Sequence, residues 1–326
     1  MFRKVFCLML AGCFAVCNGG AALASRHISI GTNPVGMALY TMGAALSEVL
    51  RKDSPDIDLT IEATNGGVHN LHLMASGDIE LGFTNPKEAM DAYAGEGRYK
   101  HKIPILGMFS SAVAYQQCPA LADSHIRKVG EIRDKRIGVG PPGALSRVDT
   151  EVFLSAHGIT FKDFKAFSET LPEMVEKMKN GQLDATMWFG VSPLAPLMDL
   201  AQSRDVVWLG ADPETLKPVI EKAPYYFLSE LPANTYPHQT KPVPALAQRY
   251  IIAVRADMPE ELVYRITRAV FSNFGKLSTI YKGWSDCSPE TALQSMTIPL
   301  HPGAVRYFRE INLPGLDAYL GKYPLH

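Results

Sequence analysis

The chain is short of cysteine, and what it has is unevenly placed. Of five cysteines in 326 residues, Cys7, Cys13 and Cys17 fall near the start, leaving only Cys118 and Cys287, and no C-x-x-C pair occurs. That excludes a disulfide framework, a dithiol redox motif and a cysteine zinc site. An oxidising compartment permits one bridge, but a chain of this size does not need it, so two unpaired apolar thiols are expected. Excess charge of either sign is also missing. The 32 Lys and Arg are balanced by 33 Asp and Glu, which removes the electrostatic footprint of a nucleic-acid binder. H-E-x-x-H and G-x-S-x-G are absent, so no catalytic residue is assigned. His69 and His72 stand three apart on a predicted helix without a third ligand, so no metal is expected.

What is present begins at the N-terminus. Arg3 and Lys4 precede an apolar run from Val5 to Cys17, and Ala22-Leu23-Ala24 follows. A basic region, a short hydrophobic core and an A-x-A site make a secretory signal peptide, with cleavage expected after Ala24. The run is too short to span a bilayer as a helix. A second reading takes Leu10-Ala11-Gly12-Cys13 as a lipoprotein site, leaving Cys13 lipidated. Both place the mature protein outside the cytoplasm.

Beyond the signal, strand and helix patterns alternate. Segments 27–32, 57–64 and 79–85 read as strands, and 42–50 and 68–76 as helices. A second series follows, with strands at 136–140, 164–168, 183–189 and 205–210 and helices at 146–158 and 172–181. Gly77-Asp78-Ile79-Glu80-Leu81 and Gly181-Gln182-Leu183-Asp184-Ala185 each link a helix to a strand, an echo that implies two similar α/β lobes. Two long β-prone runs, 103–118 and 245–259, are predicted to cross between them. The expected boundaries are residues 25–112 plus 251–326 for the first lobe and 113–250 for the second, with a ligand cleft between.

The stretch "RIGVGPPGALSR" (136–147) formally matches G-x-G-x-x-G. A dinucleotide loop needs backbone N–H groups facing a pyrophosphate, and Pro141 and Pro142 have none. Asp163 lies before its strand rather than at the end, where a ribose-binding acid belongs. A nucleotide-dependent α/β enzyme therefore stays a minor alternative, and no cofactor is expected. The loop reads better as a strand-to-helix turn whose free N–H groups favour an anion, with Ser146 adding a hydroxyl and Arg147 a charge. A plain connecting turn is the bland alternative. Two further loops of this kind supply polar groups: "GTNPVGMALY" with Thr32, Asn33 and Tyr40, and "ATNGGVHNL" with Thr64, Asn65, Gly66, Gly67 and Asn70.

Seven segments in order, across His27 to Phe308, resemble the TAXI branch of TRAP-transporter solute-binding proteins. They are "IGT" (30–32), "ATNGGVHNL" (63–71), "DAYAGEG" (91–97), "VGPPGALS" (139–146), "DATMWFGVSP" (184–193), "LPANTY" (231–236) and "IPLHPGAVRYF" (298–308). The resemblance implies a periplasmic-binding-protein-like type II fold, two α/β lobes joined by two crossing hinge strands. It implies a periplasmic, monomeric, non-catalytic receptor for an acidic amino acid or an oxo- or dicarboxylic acid, delivered to a TRAP membrane permease. An exported receptor that presents its solute to a membrane sensor is the alternative.

On the same resemblance the ligand contacts are the loop residues named above together with Asn85, Gly143, Ala144, Leu145, Trp188, Gly190 and Tyr236. Tyr236 is read as a rim residue, Tyr225 and Tyr226 as cleft or core, and His301 as the cap of a C-terminal helix. The sequence departs from the family where Leu39-Tyr40 leaves one tyrosine, Asn65-Gly66-Gly67 lacks a hydroxyl, Asn85 replaces Gln, and Ala144-Leu145 replaces a hydroxyl and a glycine. Lost donors imply a solute other than plain glutamate, and a less polar one.

Overall fold

The computed structural model describes residues 26–324. The signal peptide and Cys13 lie outside this range. The chain opens as β1 (Arg26–Gly31), α1 (Ala38–Asp53), β2 (Ile57–Glu62), α2 (Gly67–Ser76), β3 (Leu81–Thr84) and α3 (Pro86–Ala94). The long strand β4 (Ile105–Gln117) runs on into β5 (Pro119–Leu121). A second alternation follows: β6 (Arg136–Gly138), α4 (Leu145–Ala156), β7 (Lys165–Phe167), α5 (Leu171–Lys179), β8 (Ala185–Thr186), β9 (Trp188–Val191), α6 (Ala195–Ser203) and β10 (Val206–Trp208). Then come α7 (Pro213–Lys222), β11 (Phe227–Leu231), the second long strand β12 (Val243–Arg255), and α8 (Glu260–Ser272), α9 (Phe274–Ile280), α10 (Pro302–Glu310) and α11 (Leu316–Lys322).

Two sheets result. The larger has the order β2-β1-β3-β12-β4-β9, with β11 also paired to β12, and the smaller has the order β10-β5-β8-β6-β7. The βα units give parallel pairs (β1 with β2 and β3, β6 with β7 and β8). The larger sheet is nonetheless mixed, because β12 runs antiparallel to β3, β4 and β11. β4 and β12 pair from Ala247 opposite Tyr115 to Arg255 opposite Ile105, with irregularities between Arg249 and Ile251 and between Ile252 and Ala253. They tie the sheets together: β4 feeds β5, and the Ala211 amide beyond β10 donates to the Pro244 carbonyl of β12 at 2.7 Å. Both strands are buried nearly end to end, as expected where both faces are covered.

Local chemistry sets the helix ends. Asn85 caps α3 by accepting from the Glu88 amide at 2.8 Å, with Pro86 in the first turn. Thr170 and Glu173 form a capping box on α5. His301 caps α10, its Nδ1 accepting from the Gly303 amide at 3.1 Å. Gly77 closes α2 with a left-handed φ of 84°. Cys118 and Cys287 are buried free thiols, and burial pushes both up to about 12.

Candidate functional site

In the first lobe three strand ends are laced together by one buried amide. Asn70, on α2, donates through Nδ2 to the carbonyls of Thr32 and Phe83, both at 2.9 Å, and accepts from Thr64 Oγ1 at 2.6 Å. Its closeness to β1 and β3 requires glycine on both. A Cβ on Gly31 would lie 2.4 Å from Asn70 Oδ1, and one on Gly82 2.9 Å from Asn70 Cβ. Thr32 donates to the Glu62 carbonyl at 2.8 Å, and Thr64 accepts from the Gly66 amide at 3.0 Å. Asn33 accepts from the Tyr40 amide at 2.8 Å at the start of α1.

The second lobe differs. Gly140, with φ +71°, follows β6, and Gly143, with φ +83°, precedes the Ala144 N-cap of α4, which has no side-chain cap. Leu145 and Ser146 therefore open α4 with free N–H groups. Leu145 reaches the first lobe: its Cδ1 lies 3.3 Å from where a Cβ on Gly67 would stand, and that position is 3.1 Å from Thr84 Oγ1. The starts of α2 and α4 thus face each other across a seam. On its two sides, Thr84 Oγ1 and Ser146 Oγ are buried without a hydrogen-bond partner. Such orphan hydroxyls are costly unless a ligand or water completes them. Two surface hollows, one beside Glu48, Lys52, Asn273 and Ile280 and one beside Glu173, Gln182, Pro196 and Asp199, lie away from this seam.

One turn further along α4, Asp149 is buried. It accepts from Tyr226 Oη at 2.5 Å and from Gln248 Nε2, on β12, at 3.1 Å. Thr150 donates to Gln116 Oε1 of β4 at 3.1 Å, so the inner face of α4 is bridged to both crossing strands. Burial above all raises the Asp149 carboxyl to about 7, the Glu88 charge adds to the rise, and the Tyr226 and Gln248 hydrogen bonds and the Lys87 charge oppose it.

The structure brings Gly67, Leu145, Ser146 and Trp188 to the seam; the Trp188 ring and Ser146 Oγ both lie against Gly140. Other residues named from sequence have their polar groups occupied elsewhere. Thr32, Thr64 and Asn70 hold the strand ends to one another. Asn85 caps α3. Asn65 is exposed, and it is its backbone N–H that donates to His69 Nδ1, at 3.2 Å. Gly190 is a ladder residue of β9 whose carbonyl accepts from Gln117 Nε2 at 2.8 Å. Arg147 binds the Gly140 carbonyl at 2.9 Å and Ser168 Oγ at 2.7 Å and lies 4.4 Å over the Phe161 ring, so it braces the loop. Tyr236 is corrected from rim to interior: it is buried, stacks 4.4 Å from Trp208, donates to Gln117 Oε1 at 2.5 Å and accepts from the Leu194 amide at 2.9 Å. The sequence reading did not single out Thr84, Asp149 or Gln248. The one usable signal was the position of Asp149 three residues after Ser146, on the same helix face.

Two lobes on paired long strands, with helix starts facing across a seam, define a solute-binding architecture. The chain belongs to the NMT1-like family, whose model matches residues 30–311. Among solved structures, PhnD1 from Prochlorococcus marinus (MIT 9301), in complex with methylphosphonate, is similar with a TM-score of 0.55 at 10% identity, over 91% of this chain and 99% of that one. A TctC solute binding protein from Polaromonas, without ligand, is similar at 0.51 and 15% identity, over 91% and 99%. An ABC uptake transporter substrate binding protein from Streptococcus pneumoniae, with bound histidine, is similar at 0.50 and 16% identity, over 79% and 92%. At these identities the likeness is one of fold, the two-lobe fold of periplasmic binding proteins. Of these structures, the Polaromonas protein is described as a solute binding protein and the Streptococcus pneumoniae one as a substrate binding protein.

Proposed function

We propose that the protein is an extracytoplasmic receptor that closes two lobes on a small organic acid and delivers it to a TRAP-type membrane permease, as the resemblance to the TAXI branch implies. The reading includes export with cleavage after Ala24. It takes the lobes as residues 25–112 plus 251–326 and residues 113–250, moving about β4 and β12. The observation that carries it is the seam: Gly67 and Thr84 on one side meet Leu145 and Ser146 on the other, with two buried hydroxyls left unpaired. Helix-start N–H groups and neutral hydroxyls suit a carboxylate without a fixed countercharge. Leu145 adds apolar surface where a more polar solute would need a donor, which favours a solute less polar than glutamate. The protein, refolded to remove carried solute, is expected to contract on binding in small-angle X-ray scattering and to gain thermal stability with one or more small acids. A profile and melting temperature that no acid changes would sink the proposal.

A further inference from the structure

Asp149 is a buried carboxylate with no ion-pair partner among the described residues. The cation whose charge reaches it, Lys87, is bound to Asp91 at 2.5 Å. The groups that face Asp149 are Lys87 and Glu88 from α3, Tyr225 and Tyr226 ahead of β11, and Gln248 and Tyr250 from β12; burial pushes all three phenols up, and the Asp149 charge adds to the rise. Asp149 takes the Gln248 amide N–H, which leaves Gln248 Oε1 buried and without a donor. Thr84 Oγ1 and Ser146 Oγ at the seam, with the Asp149 carboxylate one turn further along α4 and its partner Gln248 Oε1, make four buried groups able to accept. A buried carboxylate is costly until a cation joins it, and aromatic rings beside it suit an ammonium.

We propose that Asp149 and Gln248 Oε1 form a subsite for a protonated amine, so that the receptor takes amine-bearing acids in preference to their oxo and deaminated counterparts. This rests on the receptor reading and narrows it. The empty site holds its proton through mildly acidic pH, because burial raises the carboxyl to about 7. An arriving ammonium ionises it, and the proton leaves to solvent. Asp149→Asn keeps the shape, and rotating the Gln248 amide lets Oε1 accept from the new amide, so the variant loses the charge without an orphaned group.

The test titrates the refolded mature chain with L-aspartate, L-glutamate, L-leucine and L-phenylalanine, each beside its 2-oxo acid and its deaminated acid, by thermal shift and calorimetry. At least one amine form is expected to bind about a hundredfold tighter than its oxo partner, and the preference is expected to shrink to about threefold or less in Asp149→Asn. Calorimetry at about pH 6 in buffers of different ionisation enthalpy is expected to show about one proton released per ligand by the wild type and none by the variant. An oxo acid binding as tightly as its amine, or a variant that keeps the preference, overturns the amine subsite and leaves the receptor standing. No binding by any probe overturns the receptor reading and this inference with it.

Discussion

The two lobes carry loops of the same kind, a strand end turning into a helix start, and use their polar side chains in opposite ways. In the first lobe Thr32, Thr64 and Asn70 are spent on one another and on strand-end carbonyls. In the second lobe Ser146 is left unpaired, α4 lacks a side-chain cap, and the buried Asp149 answers only to Tyr226 and Gln248. The first lobe is a fixed wall open only at Thr84 Oγ1; the second leaves Ser146 unpaired and Asp149 without a cation. A polar residue in a ligand-facing loop is therefore no guide to recognition until its hydrogen bonds are counted.

The largest effect is expected at the fixed wall of the first lobe. Asn70→Ala removes three buried hydrogen bonds, takes the side-chain donor from the Phe83 carbonyl and leaves the Thr32 carbonyl with Thr64 Oγ1, so chemical denaturation is expected to show a loss of about 3 kcal/mol. A loss below about 1 kcal/mol would mean that the strand ends hold without the amide. The next effect is on the open side and depends on pH. An acid raised to about 7 on folding binds its proton more tightly folded than unfolded, so the wild type loses stability as pH climbs from about 4 to about 7. Asp149→Asn escapes that loss. It is expected to be more stable than the wild type by about 2 kcal/mol near pH 8 and equal to it near pH 4, as read from melting curves at both. Equal stability near pH 8 would show that water or a neighbour already satisfies the charge. Smallest is Ser146→Ala, which removes a hydroxyl with no protein partner and is expected to shift stability by about 0.5 kcal/mol or less in denaturation. A clear loss would show that the hydroxyl is held after all.

The alternating βα order, the two long crossing strands, the His301 cap and the Gly77 turn were legible because each is set by residues close in sequence. The helix α7 was hidden by Pro218 inside it, and α3 was hidden behind a loop-like motif. The site was legible only in part. Asn70 looks like a loop donor until Gly31 and Gly82 admit it between two strands, a fact of packing rather than of spacing. Asp149 in "SRVDTEVF" looks like a solvated helix residue, and only the arrival of Gln248 and Tyr226 buries it. Tyr236 sits in a proline-rich loop that reads as exposed, yet its ring is covered by Trp208.

The three tryptophans are sorted by the same division. Trp284 is fully buried, its Nε1 donating to the Met42 carbonyl, and Trp208 is clamped on Tyr236. Trp188 and Trp208 are both half-buried, but of the two only Trp188 lies against the glycine loop that leads to Ser146. The molecule therefore carries its own optical gauge: two indoles give a steady background, and the third reports the state of the seam in the colour and intensity of its emission, with no label attached.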